Sequence, residues 1–281
     1  MACSSGGPCS HPREVVLTLE PIGGLGNRMR VLDSGIALSR YTGCELHIVW
    51  TIRNQMPCRF EDLFEIPAAF TTLRQVRDPQ FLRWLRLRRA RAAHARFIDI
   101  PEANQLATQG HSFVDLANSP GVMIRTFNRF FTNARPFAEL VPAPAIRQAL
   151  EPYHALLPRM VGVHIRRQDN RQSIALSPTE QFLGKMRAEL ELEPATEFFL
   201  ATDDLKEEAL LRREFGARVH THPKKSVRRG NRQSARDAVV DLYCLAGCRK
   251  LLGSFYSSFT DTAAAIRGIP LEIVSVRPEE A

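Results

Sequence analysis

The sequence predicts an α/β protein of two halves, each a parallel sheet wrapped by helices, with the sheets facing a central cleft. Three observations predict it. From residue 160 onward short apolar strands alternate with helical stretches, and that alternation packs as a parallel sheet with helices on both faces. Near the N-terminus a β-rich run passes through a glycine-rich turn into a helix. The length, 281 residues, suits one large domain or two of ordinary size and allows a sizeable core.

Taken in order, residues 1–12 are small, polar and rich in Gly and Pro, and are expected to be disordered. EVVLTL (14–19) reads as the first strand, with a helix after the turn to about Tyr41 and ELHIVW (45–50) as the second strand. Residues 51–95 are mixed, with helical pieces. Short strands are expected at 96–100 and 121–125. A helix is expected over 137–153, broken near its start by Pro142 and Pro144. The stretch 154–159 divides an N-terminal half (13–155) from a C-terminal half (156–281). In the second half the strands are 160–165, 197–202, 217–221, 250–254 and 271–276. The helices are 178–191, 204–215, 234–247 and 257–267. Each half is Rossmann-like, the first less regular than the second.

Charge narrows the ligand class. The net charge is +8, yet residues 81–96 hold six Arg and no acid, and residues 222–236 hold two Lys and four Arg, again with no acid. Without those twelve, 26 basic residues face 30 acidic ones. The positive charge is therefore two patches on a slightly acidic body, which argues for local anion sites over a chain-wide polyanion surface. Six cysteines (Cys3, Cys9, Cys44, Cys58, Cys244, Cys248) form no C-x-x-C pair and lie near no His cluster, so they read as buried thiols and no metal site is expected. The first residues lack the apolar core of a secretory signal, and no apolar run reaches the ~20 residues of a membrane span. The expected setting is cytoplasmic and reducing.

Several strand ends carry ligand-type groups. Gly23-Gly24-Leu25-Gly26-Asn27-Arg28 joins strand to helix, so its backbone N–H groups can approach an anion or a sugar; a plain tight turn is the alternative. It is neither a dinucleotide fingerprint, since Met29 stands where the third glycine belongs, nor a Walker loop. VGVHIRRQDN (161–170) runs an apolar strand into Arg166, Arg167 and Asp169. In open α/β sheets ligands bind beyond the carboxyl ends of the strands, and Arg offers a planar fork for phosphate oxygens; an ion pair of Arg166 or Arg167 with Asp169 or with acids elsewhere is the alternative. His164 reads equally as a hydrogen-bonded core residue. FFLATDD (198–204) ends in Asp203 and Asp204, which can meet a nucleoside or cap a helix. Asp237 and Asp241 share one stripe of the next helix. Ser254, Ser257 and Ser258 open the last one, where free N–H groups favour a diphosphate; plain N-capping is the alternative.

In this order and spacing, GGLGNRM, VGVHIRRQDN, FFLATDD and VVDLYCLAGCRKLLGSFYSSF resemble the motifs of the fucosyltransferase superfamily that includes the nodulation-type α1,6-, the α1,2- and the protein O-fucosyltransferases. The match spans about residues 16–270 and is dense from 160 on. The resemblance implies a GT-B-like fold, with GDP-fucose held mostly by the C-terminal half and a glycan or other hydroxyl acceptor in the cleft. By position, it implies that Arg166 grips the donor diphosphate with Arg167 and Asp169 in support. Asp203 and Asp241 would lie near the nucleoside, Ser257 and Ser258 would meet the phosphates, and Gly24 and Gly26 would line the donor side, with Asn27 and His164 beside them. Arg232 is a candidate for the phosphate side. One departure stands out: where the α1,6 branch has a Glu five residues past the motif Asp, this chain has Ile174, so the base is unassigned and Asp169 is the remaining candidate.

The expected chemistry is inverting transfer, with a fixed Arg stabilising the leaving GDP in place of a divalent ion. The chain contains no D-x-D string, and no metal or other cofactor is expected. Two other readings stay open: a transferase using another nucleotide sugar, and a non-catalytic anion- or nucleic-acid-binding protein. The second is disfavoured because aromatic interleaving is poor: Trp84 alone lies among the Arg of the first patch, with Phe81 at its edge, and none lies in the second.

Overall fold

The computed structural model describes residues 15–276, apart from 54, 78, 111–112, 169 and 225–229. The N-terminal segment expected to be disordered, Cys3, Cys9 and Asp169 lie outside the described residues.

The first half contains β1 (Val16–Pro21), α1 (Leu25–Thr42), β2 (Glu45–Thr51), β3 (Thr72–Val76), α2 (Arg83–Ala93), β4 (Arg96–Ile98), α3 (Ile100–Thr108), α4 (Phe113–Ala117) and β5 (Val122–Thr126). Its strands form a parallel sheet in the order β3-β2-β1-β5-β4. After α5 (Pro144–Leu150) come β6 (Val161–Ile165), α6 (Arg171–Leu176), α7 (Thr179–Leu192), β7 (Phe198–Thr202), α8 (Leu205–Phe215), β8 (Val219–His220), α9 (Arg232–Gly247), β9 (Lys250–Ser254), α10 (Ser258–Arg267) and β10 (Leu271–Val274). Their sheet is also parallel, in the order β10-β9-β6-β7-β8. In both sheets the chain winds outward from the first strand and then returns to its other side. The crevice for a ligand therefore opens between β1 and β5 in one sheet and between β6 and β9 in the other.

Three differences from the sequence reading have local causes. Edge strand β3 pairs only with β2, and its sequence TLRQV holds too few apolar residues to read as a strand. The helix expected over 137–153 contracts to α5. Pro144 starts it, and the chain beyond Leu150 tightens into 3₁₀ turns at 151–153 and 157–159, each containing a proline. Helices α3 and α4 were not foreseen; α3 begins where the Asp99 carboxylate accepts the Ile100 N–H, with Pro101 following.

The two faces of the first sheet differ. Leu17, Leu19, Leu46, Ile48, Val122 and Ile124 belong to a core that continues into the second half through Val239, Leu242 and Phe199. The alternate positions include Thr18, Glu20 and Arg125, all buried under α2. Glu20 is fully buried there and accepts both arms of the Arg86 guanidinium, at 2.7 and 3.0 Å, with Arg125 at 3.6 Å. A second core packs Phe182, Met186, Leu211 and Phe215 against the far face of the C-terminal sheet.

Cys44, Cys58, Cys244 and Cys248 are buried free thiols. Burial pushes Cys58 up to about 11 and Cys248 up to about 12, so neither is a nucleophile at neutral pH. Among the described residues no helix is long and apolar enough to cross a membrane.

Candidate functional site

A cavity of about 280 Å³ lies between the halves, at the carboxyl edges of both sheets. Three helix N-termini meet it. Gly24, Gly26 and Asn27 come from the start of α1, Asn231 and Ser234 from the start of α9, and Ser258 from the start of α10. The Asn231 side chain caps α9, accepting the Gln233 N–H at 2.9 Å. No side chain caps α1 or α10. Their first N–H groups and the positive ends of their dipoles are left for an anion.

Two glycines make this convergence possible. Gly23 turns the chain at φ +84°, in the left-handed region, and its carbonyl accepts from the buried Arg28 guanidinium at 3.0 Å. The same guanidinium donates to the Thr51 carbonyl at 2.8 Å and lies over the Trp50 ring, so Arg28 holds the turn from beneath. Burial lowers its pKa to about 10, which leaves it charged at neutral pH. At Gly26 the α1 backbone passes so close to α10 that a Cβ would stand 2.6 Å from the Ser258 carbonyl oxygen.

The HIRRQDN segment divides its two arginines. Arg166 lines the cavity, and its backbone N–H donates to Ser254 Oγ at 3.1 Å. The Arg167 side chain does not line it. It donates to Glu207 at 2.7 Å and to Thr179 at 3.1 Å, and is nearly buried. Asp203 lines the cavity and also shapes it, with its carboxylate accepting the backbone N–H groups of Arg167 (2.6 Å) and Gln168 (3.4 Å). His164 lines the wall. Its Nδ1 is 2.6 Å from Thr260 Oγ1, and its ring stacks on Phe259. Burial, reinforced by Arg166 and Lys224, lowers its pKa to about 3, so the imidazole is neutral.

Asp237, Asp241 and Lys224 also line the cavity. Lys224 is buried, bound to Asp241 at 2.7 Å and to the Thr202 carbonyl at 3.1 Å. Burial raises the Asp241 pKa against the pull of Lys224. Asp237 accepts from Gln233 at 2.7 Å. One oxygen of each carboxylate, Asp241 Oδ1 and Asp237 Oδ2, is buried without a hydrogen-bond partner. Buried acceptors in that state are unusual in folded proteins.

Eight of the sequence candidates thus meet in one place: Gly24, Gly26, Asn27, His164, Arg166, Asp203, Asp241 and Ser258. Three others lie elsewhere. Arg167 is bound to Glu207. Arg232, expected on the phosphate side, does not line the cavity; it reaches Asp62 of the first half at 3.1 Å, beside Arg236 at 2.6 Å. Ser257 sits behind the wall, its hydroxyl buried and without a partner. Lys224 was not singled out in advance, because its role depends on Asp241 of a later helix. Gln55, Met56 and Pro57 lie in the stretch that read as mixed, and close the first half's side.

No family model matches the chain, and no curated protein matches it. Solved structures do. A NodZ alpha-1,6-fucosyltransferase soaked with GDP-fucose aligns over 90% of this chain and 92% of its own, with a TM-score of 0.65 at 18% identity. Arabidopsis thaliana FUT1, as a mutant in complex with GDP, aligns over 99% of this chain and 72% of its own, with a TM-score of 0.61 at 13% identity. POFUT1 in complex with GDP-fucose aligns over 95% and 99%, with a TM-score of 0.56 at 12% identity. The chain has the two-sheet GT-B fold of these fucosyltransferases.

Proposed function

We propose that the chain is a glycosyltransferase that moves fucose from GDP-fucose to a hydroxyl acceptor, with inversion and without a divalent metal. The observation that carries this reading is the combination in one cavity of two uncapped helix N-termini and Arg166 with two buried carboxylate oxygens that lack donors. The first group suits a diphosphate. The second suits a nucleobase edge rich in N–H groups, and guanine presents two adjacent donors, N1–H and N2–H. The similar NodZ and POFUT1 structures with GDP-fucose support the same donor.

In the transfer step the bond between the fucose anomeric carbon and the phosphate oxygen breaks, and its electron pair leaves on GDP. The acceptor oxygen forms the new bond from the opposite face and gives up its proton. Arg166 and the first N–H groups of α1 and α10 stabilise the charge growing on the leaving phosphate. The Arg166 backbone is fixed beforehand: Ser254 Oγ accepts its N–H and donates to the His164 carbonyl at 3.1 Å. His164 is neutral with Nδ1 committed to Thr260, and Asp203 is committed to backbone N–H groups, so neither is assigned the acceptor proton. That role goes to Asp169, the carboxylate of the HIRRQDN string.

The donor is tested by titrating the protein with a panel of GDP- and UDP-sugars and following its melting temperature. GDP-fucose and GDP are expected to raise it, and UDP-sugars to leave it unchanged. Stabilisation by UDP-sugars alone would overturn the donor assignment.

A further inference from the structure

We propose that the outer face of the first half, at α2 and the turn before it, docks on the surface of an anionic phospholipid bilayer. The first Arg patch lies far in role from the donor cavity, because α2 covers the polar face of the first sheet while the cavity opens at the sheet's carboxyl edge. Three of its six Arg are taken up inside the half. Arg86 binds Glu20, Arg91 binds Asp99 at 3.5 Å, and Arg96 binds Glu102 at 2.9 Å. Arg83, Arg88 and Arg89 make no ion pair with any described residue, and residues 81–96 contain no acid to balance them.

The apolar side chains beside them are equally unspent. Phe81 is 72% exposed, Trp84 62% and Leu82 43%, so three large exposed apolar side chains fall within four residues. No residue of α2 is buried. The helix stands off the sheet over a cavity of about 420 Å³, lined by Thr18, Val49 and Met123 below and Leu85 and Arg89 above. Leu82 also borders this cavity, so packing within the molecule leaves Phe81 and Trp84 unaccounted for.

A bilayer surface uses both halves of this pattern. Trp, Phe and Leu enter the headgroup boundary, while Arg meets the lipid phosphates, and the attraction grows with anionic lipid. A single-stranded nucleic acid asks instead for aromatic platforms interleaved along a basic groove. Here Phe81 and Trp84 form one cluster at the start of the helix around Arg83, and Arg88 and Arg89 follow with no further aromatic up to Arg96. The helix runs against the strands: Arg86 sits over Glu20, toward the carboxyl end of β1, and His94 Nε2 lies 3.2 Å from Thr18 Oγ1 further back. Phe81, Leu82 and Trp84 therefore sit at the cleft edge of the sheet, which turns the opening of the cleft toward the bilayer. Docking of this kind does not depend on which nucleotide the cavity binds.

The test is co-sedimentation of the full chain with vesicles of phosphatidylcholine alone, or with one third phosphatidylglycerol. Sedimentation is expected with the anionic vesicles only, and is expected to fall as salt is raised. Trp50 is fully buried, so a blue shift of tryptophan emission on binding reports Trp84. The surface variant Arg83→Gln/Arg88→Gln/Arg89→Gln should lose on the order of 100-fold in vesicle affinity, about fivefold per Arg. Trp84→Ala should weaken binding and abolish the blue shift, with melting temperatures unchanged in both variants. Three results would overturn the proposal: no sedimentation with anionic vesicles at low salt, equal sedimentation with phosphatidylcholine alone, or wild-type binding by the triple variant. Single-stranded RNA competing the protein off the vesicles through the same three Arg would reassign the face to nucleic acid.

Discussion

The two arginines that end β6 are neighbours in the chain and have separate roles. Arg166 faces the cavity, and Arg167 is bound to Glu207 and Thr179. Arg166→Ala is expected to lower transfer at least 100-fold with an unchanged melting temperature, the scale of removing one donor to a developing charge. Arg166→Lys should also be severely impaired, because a point charge does not replace the fork. Near-normal turnover in either variant contradicts the assignment. Arg167→Ala should act on stability, since it strands the half-buried Glu207. The strand-end rule made Arg166 legible in the sequence. That Arg167 would be the one to pair with an acid was open, and its partners were not legible, because they come from two helices packed against β6 only in the folded chain. His164 gives a pH signature. Its folded pKa of about 3 lies below the ordinary 6.5, so the unfolded chain binds a proton that the folded chain refuses. Stability should therefore fall as pH drops through that window, with a slope of up to one proton from this group. Urea unfolding at neutral and mildly acid pH checks it, and His164→Gln should remove that part of the slope.

At the scale of elements, the site is a meeting of helix ends. The glycine-rich turn was readable as an anion-type turn, and the Ser-rich start of α10 as another. Their contact was not readable, because residues more than two hundred positions apart in the chain meet only when the sheets face each other. Gly26→Ala tests that contact. Its Cβ would press on the Ser258 carbonyl, a backbone atom that cannot step aside, so both the melting temperature and donor affinity should drop, affinity by about tenfold or more. Gly24→Ala is the control. Gly24 has an extended backbone, and a Cβ there meets nothing within 4 Å, so stability should be preserved. Equal damage from both substitutions would contradict the close-approach account. Edge strands β8 and β10 of the second sheet are shorter than the sequence suggests, whereas the inner strands β6, β7 and β9 were legible almost to the residue because they are largely apolar runs buried on both faces. Strand β3 was not, being an edge strand with one neighbour, and its placement depends on β2 more than on its own sequence.

For the molecule as a whole, the net charge of +8 resolves into distinct uses. Lys224 of the second patch serves the cavity, while Arg232 and Arg236 bridge to Asp62 and tie the halves together. Burial alone would raise the Asp62 carboxyl. The hydrogen bonds from Arg236 and the Arg59 N–H outweigh it and hold the group below the usual carboxylate range. The bridge should thus be fully effective above the ordinary carboxylate pKa and be lost as pH falls through the lowered value. Both arginines are partly exposed, so Asp62→Asn should cost only ~1 kcal/mol, measured by urea unfolding at neutral pH. An unchanged unfolding midpoint would show that the bridge does not tie the halves. The sequence disclosed both patches and could not divide them, since a cation's partner is set by the fold. The most direct test of the central claim is a crystal structure with GDP-fucose soaked in. The expected result has the diphosphate at the N-termini of α1 and α10 within hydrogen-bond reach of Arg166, and the guanine N–H edge on Asp237 and Asp241. A nucleotide bound away from Arg166, or no nucleotide at saturating concentration, would contradict it.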